Sequence, residues 1–266
     1  MSRHHHNEHD HDDHGGLVRD VRATMHRRDA IRLALGASAF TLLGCGSDSN
    51  GVTDPNGNGS CTLIPSETAG PYPGDGSNGP NVLNVTGVQR ADIRSSFGGL
   101  TGTAAGIPLT VVLNIVTANT CAAKAGAAVY LWHCDRAGLY SLYSAGATNQ
   151  NYLRGVQAAD ATGKVTFTTI FPGCYAGRWP HIHFEIFDSL AASTTLANRI
   201  RTSQLAFPES TCRAAYAVSG YATSLTNLNG VTLASDNVFG EDRAANQLAT
   251  MTGDVNGYTA TLTVAV

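Results

Sequence analysis

Residues 181–187, His-Ile-His-Phe-Glu-Ile-Phe, constrain the fold more than any other stretch. Strand periodicity puts His181, His183 and Glu185 on one side and Ile182, Phe184 and Ile186 on the other. The apolar side has to pack into a core, while the polar side brings two imidazoles together into a cleft. Neutral imidazole is the commonest protein ligand for transition metals, so this strand is expected to present a metal site. A solvated outer face is the competing reading. Against it, the only other histidine beyond the N-terminal leader is His133, and Arg178 stands three residues before the pair. The flanks are also apolar. Tyr175 and Arg178 lie in a Pro-Gly-rich turn just upstream, expected to pass over the same face.

Charged residues make up only 14% of the 266, and the chain has 29 glycines but just two lysines, Lys124 and Lys164. That balance suits a Gly- and Thr-rich all-β protein better than a helical one. Strands are expected at 108–116 (apolar on both faces, hence buried), 127–133, 165–170, 199–207 and 258–266. Short helices are expected at 209–216 and 241–251. With turn signals between the strands and no internal repeat, the reading is a β-sandwich with short helices and long loops. The net charge of −3 and the lack of a basic run outside the leader exclude a nucleic-acid partner from the reading.

Residues 1–44 read as a targeting segment and do not enter the fold. Arg27-Arg28 precede an apolar run at 33–43, too short to span a bilayer and right for a signal sequence. The pair reads as a twin-arginine export signal. Leu42-Leu43-Gly44-Cys45 resembles a bacterial lipobox, which would make Cys45 the lipidated first residue of an exported, surface-tethered protein. An ordinary signal peptide cut nearby is the alternative. The His- and Asp-rich tract at 4–14 precedes the signal and receives no catalytic role. Residues 45–60 are expected to be a flexible polar linker, and 61–266 the folded domain. Five cysteines follow Cys45, namely Cys61, Cys121, Cys134, Cys174 and Cys212. Export implies partial disulfide bonding, with at least one thiol left free or paired between chains.

Three segments taken together carry a resemblance: WHCDRAGLYS at 132–141, LRGxxxxDxxG at 153–163 and PGCYAGRWPHIHFEIF at 172–187. They resemble the intradiol ring-cleavage dioxygenases, the family of the catechol 1,2- and protocatechuate 3,4-dioxygenases, from about Pro65 to about Glu209. The resemblance implies a non-haem ferric ion, Fe(3+), held by Tyr140, Tyr175, His181 and His183. It implies that Arg178 contacts the substrate and stabilises its developing charge, with Gln204 behind it. Tyr72, in the Gly-Pro-Tyr turn, would line the substrate pocket, although Tyr72 and Gln204 also fit plain packing roles. The implied reaction uses dioxygen to cleave a catechol-type ring between its two hydroxylated carbons, giving a muconate-type dicarboxylic acid. Tyr175 would take up a catechol proton. The ligand types make chemical sense, since a ferric ion is hard and its charge lowers the pKa of a bound phenol.

The chain departs from the family pattern in three respects. It carries an export leader, the Tyr175–His181 interval is short, and there is no counterpart of the N-terminal helical dimerisation segment. A more open pocket, accepting substituted or lignin-derived catechols, is expected from the second. The rival reading is a non-catalytic extracytoplasmic β-sandwich that binds a metal or a catechol. It would lack Arg178 or an open coordination position. His133 is expected to be a hydrogen-bonded structural histidine.

Overall fold

The computed structural model describes residues 61–266; the leader, Cys45 and the linker lie outside the described residues. Eight strands form where apolar and β-branched residues recur at period two. They are β1 Pro108–Val116, β2 Ala128–Trp132, β3 Arg154–Ala158, β4 Lys164–Ile170, β5 His181–Phe187, β6 Arg199–Ala206, β7 Thr250–Asp254 and β8 Gly257–Ala265. One sheet has the order β4-β1-β8-β7 and the other β3-β2-β5-β6. In the first, β1 runs antiparallel to β4 and parallel to β8.

The facing sides of the sheets make one hydrophobic core. Leu109, Val111, Leu113 and Ile115 of β1 meet Phe167 of β4 and Ala260 and Val264 of β8, against Val129, Leu131, Ile182, Phe184 and Ile186. This is a β-sandwich, as the sequence implies. Burying aromatic and branched side chains of this kind contributes about 1.5–3 kcal/mol each.

The other sides of the two sheets differ. In β1 the alternate residues Thr110, Val112 and Asn114 keep partial exposure, so the strand is not buried on both faces as expected. In β5 every residue is buried. Val82, Leu83, Val88 and Phe97 from the arm before β1, and Tyr140 from the loop after β2, pack onto Tyr130, Trp132 and Phe187. The arm is tied to β6 by Glu67 N–H to the Thr202 carbonyl (2.9 Å) and by Gln204 Nε2 to the Thr68 carbonyl (2.9 Å).

Helix α1, Glu209–Tyr216, forms as expected, with Cys212, Ala215 and Tyr216 turned to the core. A second helix, α2 Ala222–Leu228, was not anticipated. The helix expected at 241–251 does not form. Residues 241–247 are turns, with Arg243 and Ala244 at φ 56° and 59°, and β7 starts at Thr250. Tertiary pairing overrides local propensity there: Ala206 N–H donates to the Gln247 carbonyl and Ala249 N–H to the Ala206 carbonyl. Cys61 and Cys121 form a disulfide, and Cys134, Cys174 and Cys212 are free and buried. Among the described residues no helix is long and apolar enough to cross a membrane.

Candidate active site

Strand register assembles the site. Arg154 of β3 lies opposite Trp132 of β2, Trp132 opposite His183 of β5, and His183 opposite Gln204 of β6. Residues paired across a ladder share a face, so one transverse row carries a guanidinium, an indole, an imidazole and an amide. Trp132 stacks on His183, with ring centroids 4.9 Å apart and planes 5° from parallel. Glu185, on the same face, is turned to other partners, accepting from Arg199 Nη1 at 3.0 Å and Thr202 Oγ1 at 3.3 Å.

Four donors converge at the end of β5. His181 Nε2 lies 3.0 Å from His183 Nε2 and 3.2 Å from the Tyr175 hydroxyl. The Tyr140 ring stands edge-on to Tyr175 at 5.8 Å and to His183 at 6.2 Å. His181 Nδ1 hydrogen-bonds the Trp179 carbonyl, which only an N–H can do, so its Nε2 lone pair faces the cluster. Tyr140, His181 and His183 are almost wholly buried, whereas Tyr175 is half-buried. Access from solvent is therefore on the Tyr175 side. On the other side the turn at 70–73 closes the site. Gly70 has φ 70°, a conformation that favours glycine, and a Cβ there would meet His183 Cε1 in van der Waals contact at 3.4 Å, so the turn lies directly against the imidazole. The Tyr72 ring leans on Tyr140, with centroids 5.0 Å apart and planes tilted by 37°.

The electrostatics suit an ion. Burial, then the His181 and Arg178 charges, pushes His183 well below the usual histidine range; burial and then Arg178 act on His181 in the same direction. Both are neutral donors. Burial, then Tyr175, pushes the Tyr140 phenol well above its ordinary value, and among the described residues its hydroxyl has no partner in hydrogen-bonding geometry. An orphaned buried hydroxyl is costly unless something completes its surroundings. Two donors on adjacent corners of an ion's shell, each about 2.0–2.1 Å from it, stand about 3 Å apart. The 3.0 Å between the two Nε2 atoms meets that condition. Among the described residues no group of three or more His, Cys, Asp or Glu side chains is placed to hold a metal. The converging set is two imidazoles and two phenols, which suits a hard, highly charged ion.

Arg178 is buried beside this set. Its Nε donates to Asp236 Oδ2 at 3.0 Å and its Nη2 to Gln204 Oε1 at 2.7 Å, while Nη1 has no partner among the described residues. Burial alone would lower its pKa, but Tyr175 and Asp236 outweigh it and hold the guanidinium charged. Burial, the largest influence, raises the Asp236 pKa, but Arg178 together with the Trp179 and Phe239 N–H groups outweighs it, so the carboxylate sits below its usual range. Asp236 also accepts from the Trp179 N–H at 2.6 Å and from the N–H groups of Val238 and Phe239. The sequence reading missed this residue. Asp-Asn before Val-Phe signals a turn, and nothing local says that it anchors an arginine 58 residues away. The candidate residues Tyr72, Tyr140, Tyr175, Arg178, His181, His183 and Gln204 are all brought to one place. His133 lies apart, with its rings' nitrogens bonded to the Cys134 carbonyl and Thr169 Oγ1, each at 2.7 Å.

A β-sandwich with a buried pair of imidazoles and a pair of phenols at one strand end defines a class of candidate metalloproteins. Comparison with known proteins narrows it. The family model described as "Dioxygenase" matches residues 77–215, just over half of the chain. An intradiol ring-cleavage dioxygenase from Tetranychus urticae superposes with a TM-score of 0.60 at 27% identity, over 77% of this chain and 94% of that one. The catechol 1,2-dioxygenase from Pseudomonas arvilla C-1 gives a TM-score of 0.49 at 17% identity, over 94% and 69% of the two chains. The dioxygenase domain of a carbohydrate-binding fusion protein from Streptomyces sp. SirexAA-E gives 0.48 at 21%, over 77% and 98%. No curated protein matches the sequence. The chain belongs to the intradiol ring-cleavage dioxygenase family.

Proposed function

We infer that this protein is a non-haem ferric dioxygenase. It takes a catechol-type substrate and one dioxygen, cleaves the ring between the two hydroxylated carbons, and releases a muconate-type dicarboxylic acid containing both oxygen atoms. The observation that carries the reading is the convergence of Tyr140, Tyr175, His181 and His183 beside an arginine with one free Nη group. Tyr140, Tyr175, His181 and His183 would hold the ion, and bound there it would supply Lewis acidity and activate the catechol towards dioxygen.

The chain's own residues do the rest. Tyr175 is the one member of the set with solvent contact, and as the tyrosinate that the ion would stabilise it would take up a proton from an arriving catechol hydroxyl and become the neutral phenol. Arg178 directs Nη1 to charge that develops on the substrate. Asp236 and Gln204 fix its other nitrogens, so no reorganisation is required, an arrangement worth a few kcal/mol in comparable sites. Tyr72 offers a ring face to the substrate, which suits an aromatic without demanding a particular substituent. Substituted and lignin-derived catechols are therefore within the substrate range. Export places the enzyme outside the cytoplasm, tethered through Cys45; the Cys61–Cys121 bridge supports an oxidising compartment.

The visible spectrum of the aerobically purified full-length protein, before and after anaerobic addition of catechol, tests the reading. Ferric tyrosinate colour that moves to longer wavelength, followed by uptake of one dioxygen per catechol on admitting air, is expected. If the colour shifts but no dioxygen is taken up, the protein is a catechol-binding module. A colourless protein that keeps another metal after ferric reconstitution overturns the ferric assignment.

A further inference from the structure

Arg154 belongs to the same row as His183 and Gln204 but touches none of the four converging donors. It is buried, and all five of its N–H bonds are used. Nε donates to Ser141 Oγ at 3.1 Å. Nη1 donates to the Pro73 carbonyl at 2.7 Å and the Tyr130 hydroxyl at 3.2 Å. Nη2 donates to the Tyr72 carbonyl at 3.0 Å and the Ser141 carbonyl at 2.9 Å. The acceptors are themselves ordered: the Tyr130 hydroxyl donates to Pro73 and the Ser141 hydroxyl to Tyr152.

None of these acceptors is a carboxylate. A buried cation with only neutral partners costs desolvation that an apolar residue of the same size would avoid. What the guanidinium adds is geometry, since its planar fork fixes five acceptors at once. Four of the five acceptors belong to two separate turns, and the fifth, the Tyr130 hydroxyl, to β2. One contains Tyr72 and roofs the site; the other runs from Tyr140 into Ser141. Bulky residues in left-handed conformation flank both ends of the staple, Leu142 at φ 74° beside Ser141 and Leu153 at φ 58° beside Arg154. Such strain persists only where the surroundings over-determine it. The fit is close as well. Gly74, at φ 68°, would bring a Cβ to 2.8 Å from Arg154 Nη1.

We propose that Arg154 is a positioning residue that locks the Tyr72 turn to the Tyr140 turn, and so sets where the Tyr140 phenol stands and how much room a catechol ring has beneath Tyr72. This rests on the ferric reading above. Arg154→Lys keeps the charge but has three donors instead of five. In the full-length variant, hydrogen exchange without added iron should rise at least about tenfold at 72–74 and 140–144, with β1 and β8 unchanged. After ferric loading, colour per bound iron should fall by about half, because one of two phenols is misplaced, and KM for catechol should rise about tenfold or more, further than kcat falls. If Arg154→Lys does not fold, Tyr130→Phe removes one acceptor and should shift the same readouts by a smaller factor. A variant that loses stability uniformly, with unchanged exchange in the two turns, unchanged colour per iron and unchanged KM, overturns the proposal. A wild-type chain that takes no ferric ion would sink the ferric reading instead, and exchange in the iron-free protein would still decide the role of Arg154.

Discussion

The outward residues of β1 are Thr110, Val112 and Asn114, each with partial solvent contact. Those of β5 are His181, His183 and Glu185, with almost none. Both strands present an apolar face to the same core, so stability is shared between the sheets while chemistry is confined to the covered side of one. A polar face can be buried only if each group is satisfied, and the cover must bring partners as well as bulk. Here the arm before β1 and the loop at 231–248 supply them. Thr68 accepts from Gln204, Asp236 takes Arg178, and Tyr72 and Gly70 close over Tyr140 and His183.

That contrast predicts that substitutions on the two sides separate function from stability. His183→Ala should abolish the ferric tyrosinate colour and lower kcat/KM at least about 10³-fold, which corresponds to about 4 kcal/mol of transition-state stabilisation. Its Nδ1 has no hydrogen-bond partner among the described residues, so the stability cost should come from the space the ring leaves beside Trp132 and be smaller than that of the core variant below. A large loss of stability with retained colour would show that the imidazole serves the fold and not the ion. Phe167→Ala, on the inner side of the other sheet, should do the reverse. It should destabilise the protein by about 3–5 kcal/mol, with unchanged colour per bound iron in the folded fraction. Colour lost in proportion to more than the unfolded fraction would break the separation.

Asp236→Asn is placed to fail the separation, because Asp236 belongs to both fold and site. It leaves a buried guanidinium without its counter-charge, a loss of about 3–5 kcal/mol when one partner of a buried pair is removed. It also frees Arg178 to turn away from the substrate, so kcat should fall about tenfold or more with KM changed less. Arg178→Met in the same chain tests the assignment. If Asp236 acts through Arg178, the double variant should be no slower than Arg178→Met alone, whereas additive losses in kcat would give Asp236 an independent role.

How much of this was legible follows the same division. Period two in 181–187 gives both faces of β5 correctly, and alternation in 258–266 gives β8, because each residue's surroundings there follow from its own strand. In 108–116 the apolar content suggests burial on both faces, yet only one is covered, since Val112 and Val116 are strand formers as well as core residues. The cover was less legible. Asp236 and Arg154 acquire their partners only when the chain closes, and Gln247, in the segment expected as a helix, instead gives its amide to the Gln204 carbonyl and Ser203 Oγ. Local sequence carries no trace of such contacts. The family motifs pointed to Arg154 without indicating what it bonds.

His133 joins the two sheets and carries the smallest expected effect. It follows β2 and reaches Thr169 of β4 through Nε2. Since Nδ1 bonds a carbonyl, the proton is on Nδ1, and Nε2 accepts from the Thr169 hydroxyl. Burial, the largest influence, pushes its pKa from 6.5 down to about 4. Between these values the unfolded chain binds a proton that the folded protein refuses, so this stabilisation is complete above pH 6.5 and is lost as the pH falls towards about 4. The loss should be on the order of 2–3 kcal/mol across that window. Unfolding midpoints of wild type and His133→Gln, measured between those pH values, check it. The variant cannot take up the proton, so its stability should fall less steeply on the acid side, even though it starts lower at neutral pH. Parallel curves would mean that His133 takes up its proton equally in the folded and unfolded states over that range, and that the acid sensitivity of the join between the sheets lies in another group.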